Sequence, residues 1–312
     1  MKKIIFLMAF FLMACVHHQT TQHEAQAATT TTATTTASAS AATPAAATTA
    51  RMRFHCDSDT TVINQLLAKG RESGLTDANA LIEFYARQLL GTPYVAHTLE
   101  GDEELLTINI HQLDCLTFIE TLYALTRCTL NQRYSWRDFA ANIENVRYRG
   151  GEMGDYSTRI HYISEWIIDN HVRGNLVEVT PDLPHADYMV KNIDYMTRHT
   201  DSYRQLKNDT AMVEKIRRHE LRNPRFPYLK RSWLNDKDVK AALRSGDFVT
   251  LVTKTEGLDV SHNGIIIVDK GEPYLLDASM SSGKVMLESK PLFKFLERSK
   301  TNIGVRVFRM MQ

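Results

Sequence analysis

Cys115, His262 and Asp277 stand in three short segments whose residue types suit nucleophilic catalysis: Leu113-Asp114-Cys115-Leu116-Thr117-Phe118, Ser261-His262-Asn263-Gly264 and Leu275-Leu276-Asp277-Ala278-Ser279. A cysteine sulfur can attack an amide carbonyl once a neighbouring imidazole takes its proton. A carboxylate on the other ring nitrogen would fix the tautomer and orientation of that imidazole. After Cys115, residues Leu116, Phe118, Ile119, Leu122 and Leu125 follow the spacing of one buried helix face. Cys115 is therefore expected in the first helical turn, where unpaired backbone N–H groups and the positive dipole end favour thiolate over thiol. The plain structural alternative is a thiol that fills space in a core.

His262 opens the β-branched run Gly264-Ile265-Ile266-Ile267-Val268, which stops at Asp269-Lys270-Gly271-Glu272, a hairpin signal. Leu275 and Leu276 lie on the returning strand, so pairing across the hairpin is expected to bring His262 and Asp277 together. Other strand signals cover 247–253 and 304–309. Upstream, Thr76-Asp77-Ala78 opens a helix carrying Leu81, Phe84, Tyr85 and Leu89, and Gly91-Thr92-Pro93 ends it. A helical half that donates the cysteine and an antiparallel half that donates the histidine define an α+β fold class.

Several separated motifs in order carry a resemblance. They are Leu90-Gly91-Thr92-Pro93-Tyr94-Val95, the Asp-Cys-Leu-Thr-Phe string, Tyr156-Ser157-Thr158-Arg159-Ile160-His161-Tyr162 and Gly257-Leu258-Asp259-Val260-Ser261-His262. Over roughly residues 55–312 the chain resembles the DUF1460 family of the NlpC/P60 cysteine peptidase and amidase superfamily. The resemblance implies a papain-like core and hydrolysis of the amide between N-acetylmuramic acid and L-alanine in peptidoglycan fragments, the sugar in reducing or 1,6-anhydro form. It also implies that Tyr94 lines the active site and assists the oxyanion. Relative to the family pattern, Asp277 replaces a histidine and His97 a glycine. Two other readings stay open: an endopeptidase cutting the γ-D-glutamyl to diamino-acid bond, and a wall-binding lipoprotein without catalysis.

The interval of 147 positions from Cys115 to His262 exceeds what a minimal core of this superfamily needs, so a large insertion is expected there. Within it, 159–170 reads as a helix that places Tyr162 and Trp166 one turn apart. As a cleft wall it would offer Arg159 to a peptide carboxylate, His161 to substrate and aromatic faces to sugar rings; as structure, Tyr162 and Trp166 would be core. Asp114 either caps the nucleophile helix or contacts substrate. Glu100, Asn109 and Ser261 complete the candidate substrate contacts.

At the amino terminus, Lys2-Lys3 and the apolar run Ile4–Met13 end in Leu12-Met13-Ala14-Cys15, which resembles a lipoprotein signal. Residues 1–14 are then a signal peptide, with Cys15 the lipidated anchor on the envelope side of a Gram-negative membrane; a plain secretory signal is the alternative. The Thr/Ala-rich stretch 15–52 cannot bury enough apolar surface to order itself and reads as a tether. Residues 53–312 form the amidase-like domain. A net charge of +1 argues against a nucleic-acid partner. Cys56 and Cys128 either bridge or stay as separate thiols. His97, His111, Cys115, His161 and His262 could supply metal ligands, but no paired-cysteine or His-Glu-x-x-His pattern occurs, and no metal or cofactor is expected.

Overall fold

The computed structural model describes residues 51–311, so the expected signal peptide, Cys15 and nearly all of the 15–52 tether lie outside the described residues. The tether's last position is inside: Met52 opens β1 (Met52–Phe54), which pairs in parallel with β2 (Leu106–Ile108). The main sheet comprises β3 (Leu176–Glu178), β4 (Asp187–Val190), β5 (Arg225–Lys230), β6 (Phe248–Thr253), β7 (Val260–Asp269), β8 (Glu272–Ser279), β9 (Lys284–Pro291) and β10 (Asn302–Met310). Its order is β4-β5-β10-β6-β7-β8-β9, with β3 also beside β10, and every pairing is antiparallel. Among the described residues no helix is long and apolar enough to cross a membrane.

Side chains alternate across the sheet. Ile265, Ile267, Leu276, Ala278 and Phe308 face a core shared with the helices, whereas Leu251, Ile266, Leu275, Val305 and Val307 face a second core on the other side. Cover on both faces is why β6 and β7 read as nearly continuous apolar runs.

The helical layer is α1 (Asp59–Glu72), α2 (Ala78–Gln88), α3 (Cys115–Leu130), α4 (Trp136–Arg147) and α5 (Ile163–Val172). The spacing after Cys115 predicts one buried face for α3, yet every residue from Thr117 to Thr126 is buried. The reason is position: α3 packs against α1, α2, α4 and strands β7 and β8 at once. Its buried Glu120 is matched by Arg147 of α4, with Oε2 2.8 Å from Nε. Arg147 also donates to the Thr107 carbonyl at 2.8 Å, so a pair that would be costly if broken locks α3, α4 and β2 together.

Two backbone details shape the end of the sheet that carries His262 and Asp277. Ser261 is an extra residue between the pairs Leu251↔His262 and Val252↔Val260, a β-bulge immediately before the histidine. Two residues on, a Cβ at Gly264 would lie 2.7 Å from the Leu276 carbonyl oxygen and 3.0 Å from the Asp277 Cβ. Gly264→Ala must therefore push β8 and Asp277 away. It is expected to destabilise the fold by about 1–3 kcal/mol, read as a lower midpoint in a denaturant melt; an unchanged midpoint would show that β8 yields freely.

Candidate active site

Asp114 starts α3 as its N-cap, in extended backbone conformation. Its Oδ1 accepts from the backbone N–H of Leu116 (3.0 Å) and Thr117 (2.8 Å), while its own N–H donates to Thr117 Oγ1 at 2.9 Å, completing a capping box. Cys115 is thus the first helical residue, half-buried, at the positive end of a sixteen-residue helix. The cap role of Asp114 is what sets the orientation of the thiol.

His262 Nε2 lies 2.5 Å from Asp277 Oδ2. The β7–β8 ladder runs from Asp269↔Glu272 to Ile265↔Leu276, so His262 and Asp277 meet on a diagonal beyond its last rung. Cys115 acts on the same imidazole alongside Asp277. Burial pulls this imidazole toward its neutral form, but the bonds to Asp277 and Cys115 and their charges outweigh burial and push it up to about 10. The second carboxylate oxygen of Asp277 is buried without a hydrogen-bond partner. Burial and the Asp277 charge push the neighbouring Glu288 carboxyl up as well, against a hydrogen bond from Ser279.

Tyr94 is carried to the same place by backbone pairing. Its N–H donates to the Gly283 carbonyl at the start of β9, and Val95 and Leu113 exchange bonds with Leu113 and Pro93, one residue before the cap. Burial first, then the Cys115 and Asp114 charges, push the Tyr94 phenol up to about 12, so its hydroxyl stays a donor at neutral pH.

A residue that the sequence reading gave no role joins them. Asn263 is buried, donates from Nδ2 to Cys115 Sγ at 3.7 Å, and keeps an unpartnered buried Oδ1. The signal was an amide in the otherwise apolar run that follows His262. Val95, the residue after Tyr94, lines a cavity of about 390 Å³ together with Arg53, His55, His97, Thr98, Asn109 and Gln112. Asn109 also accepts from the N–H groups of His111 and Gln112, shaping the loop into α3. His97 is exposed with a left-handed backbone, φ 63°.

Other candidates gather elsewhere. Arg159 is 4% exposed; its guanidinium lies 2.8 Å from Glu100 Oε1 and 3.4 Å from Glu104 Oε1, and Glu100 Oε2 accepts from Gln205. Glu100 is thus no solvated loop carboxylate, and the expected free anion receptor is already paired internally. His161 lies tilted against the Tyr156 ring and contacts its carbonyl at 2.9 Å; burial and the Arg159 charge pull it down to about 3, so it stays neutral. The helix expected over 159–170 begins only at Ile163, with Tyr162 as N-cap, because Arg159 is bridged to Tyr148 and extended. Trp166 is core against Phe308, and Tyr162 is buried with its hydroxyl on Glu220 and the Met196 N–H, so neither offers a face to a sugar. Ser261 bonds Asn302 Oδ1 at 2.7 Å. Cys56 and Cys128 are both free thiols. His111 precedes the helix, so it shares no helix face with Cys115.

The sequence profile of the AmiA-like, N-acetylmuramoyl-L-alanine amidase-like family matches residues 85–304, from α2 to β10. The chain belongs to this family. Solved structures of similar chains share the fold. An N-acetylmuramoyl-L-alanine amidase from Bacteroides uniformis is 33% identical over 75% of this chain and 99% of that one, with a TM-score of 0.71. A Bacteroides fragilis protein described as a candidate xylanase is 37% identical over 74% of this chain and 100% of that one, with a TM-score of 0.68. A Legionella pneumophila protein of the DUF1460 family shares the fold at 21% identity, covering 81% of this chain and 95% of that one, with a TM-score of 0.63. No curated protein matches this amidase-like chain.

Proposed function

We propose that the chain is a cysteine amidase that hydrolyses the amide between N-acetylmuramic acid and L-alanine in peptidoglycan fragments. The observation that carries this reading is the meeting of Cys115, His262 and Asp277 at the N-terminus of α3. Family membership and the name of the Bacteroides uniformis relative support the choice of bond.

In this reading His262 takes the Cys115 proton and the sulfur attacks the amide carbonyl. Backbone N–H groups at the start of α3 and the Tyr94 hydroxyl hold the oxyanion. His262 then gives its proton to the leaving amine of L-alanine, leaving the lactyl group of the sugar as a thioester on Cys115. Water, deprotonated by His262, attacks that thioester and releases the muramic carboxylic acid and the free thiol. The cavity lined by Val95, the residue after Tyr94, receives part of the substrate, with Asn109 on its wall. Arg159, paired with Glu100, holds the loop that carries Thr98 on the cavity wall. The core is assigned to the papain-like NlpC/P60 type, with the residues between Cys115 and His262 elaborating it. The Cys15 segment supports a location outside the cytosol, held by acyl chains.

The xylanase description of one relative suggests a glycosidase, which needs two carboxylates flanking a glycosidic bond. Here Asp277 is committed to His262 and Asp114 to the α3 cap, which favours the cysteine reading. Mass spectrometry of defined muropeptides, anhydro and reducing, after incubation with the full chain tests it. Free stem peptide plus peptide-free sugar supports the amidase; cleavage within the stem means the endopeptidase, and intact substrate overturns both. For the oxyanion role, Tyr94→Phe is expected to lower kcat about 100-fold with KM nearly unchanged. An unaltered kcat would remove Tyr94 from the reaction.

A further inference from the structure

Cys56 follows β1, Asp59 begins α1, and His111 lies in the loop between β2 and α3. Their donor atoms all fall within 4.8 Å of one another, and His111 Nε2 is 3.9 Å from Asp59 Oδ1. We infer that Cys56, Asp59 and His111 form a zinc-class metal site that ties β1 and α1 to the loop entering the nucleophile helix. This departs from the expectation of no metal, and it stands apart from the fate of the amidase reading.

The donor set selects the ion. Thiolate, imidazole and carboxylate together suit zinc or cobalt(II), whereas calcium and magnesium prefer all-oxygen shells. Zinc at bond lengths of about 2.0–2.3 Å places tetrahedral ligands roughly 3.3–3.6 Å apart, a small contraction from the distances found here. Three protein ligands leave a fourth position for water.

The ligands are also held from behind. Asp59 is fully buried, and its two oxygens accept from the Cys56 N–H (2.8 Å) and the Ile110 N–H (3.1 Å), which fixes the carboxylate plane. His111 is held at its backbone by Asn109. The Ser58 hydroxyl sits 3.0 Å from His111 Nε2 and 3.2 Å from Cys56 Sγ, so the space between sulfur and nitrogen accepts a polar group; one χ1 rotation turns it out. Cys56 and His111 are half-buried, which leaves an entry path from solvent. Sequence reading missed the group because its members come from two distant segments, Cys56-to-Asp59 and the loop before α3, with no motif spacing.

Cobalt(II) titrated into the full chain carrying Cys115→Ala, which removes the other half-buried thiol, tests the site. One equivalent should produce a near-ultraviolet thiolate-to-cobalt band that zinc abolishes by displacement. Adding Cys56→Ser, near-isosteric at a half-buried position, should remove the band, and adding His111→Ala should weaken binding at least about tenfold. One equivalent of zinc should raise the melting midpoint of the Cys115→Ala chain but not of its Cys56→Ser derivative. Absence of any band in Cys115→Ala overturns the inference, as does a band that survives Cys56→Ser and so belongs to Cys15 or Cys128.

Discussion

Cys115→Ala is expected to lower the kcat for release of stem peptide from muropeptides by about 10⁴-fold or more while moving the melting midpoint by no more than about 2 °C. The sulfur is the only atom lost, and without it no acyl intermediate can form. Stability should hold because alanine is the best helix former and Cys115 is the first residue of α3, outside the buried stretch that begins at Thr117. Progress curves by chromatography, paired with circular-dichroism melts, check both halves. Activity within tenfold of wild type would mean that the sulfur is not the nucleophile.

The second large effect belongs to Asp277. Asp277→Asn should cost about 10³–10⁴-fold in kcat/KM, since the amide can hold imidazole in the wrong tautomer and cannot balance an imidazolium. It should also reshape the pH profile. In the native site burial alone would drive His262 below its usual value, and the Asp277 and Cys115 interactions lift it to about 10. An imidazolium able to protonate a leaving amine thus persists through neutral pH, and on the proposed mechanism activity should fall only as pH climbs toward 10. With asparagine the burial effect gains weight and the alkaline limb moves down. Glu288 then loses the Asp277 charge that helps raise it, ionises more readily, and limits the displacement. An alkaline limb that stays in place would exclude Asp277 as the orienting group.

The same shift carries a stability consequence with a definite sign. A histidine whose folded value exceeds its unfolded value near 6.5 contributes fully below that value, and the contribution is lost as pH rises through about 10. The His262–Asp277 pair should therefore stabilise the fold most on the acid side of neutrality.

Much of the architecture is legible in local chemistry. Asp114 before Cys115 and Thr117 spells a capping box, so the start of α3 is written in four residues. Lys270-Gly271, both with positive φ, closes the β7–β8 hairpin in the way that a two-residue turn demands. Strands β6, β7 and β10 announce themselves by β-branched apolar residues and β8 by Tyr274-Leu275-Leu276 after the turn, whereas β9, with Lys284, Glu288 and Lys290 along an edge, carries no such signal. By itself the sequence determined the family motifs, the helix start that presents Cys115 and the hairpin that carries His262 and Asp277, because each depends on neighbours within a few positions. Tertiary structure alone decided that α3 is buried on all sides, that Arg159 is spent on Glu100, that Asn263 reaches Cys115, and that Cys56, Asp59 and His111 converge. Those outcomes depend on which distant segments pack together, and a polar residue's partner is set by that packing, with no trace in its local spacing.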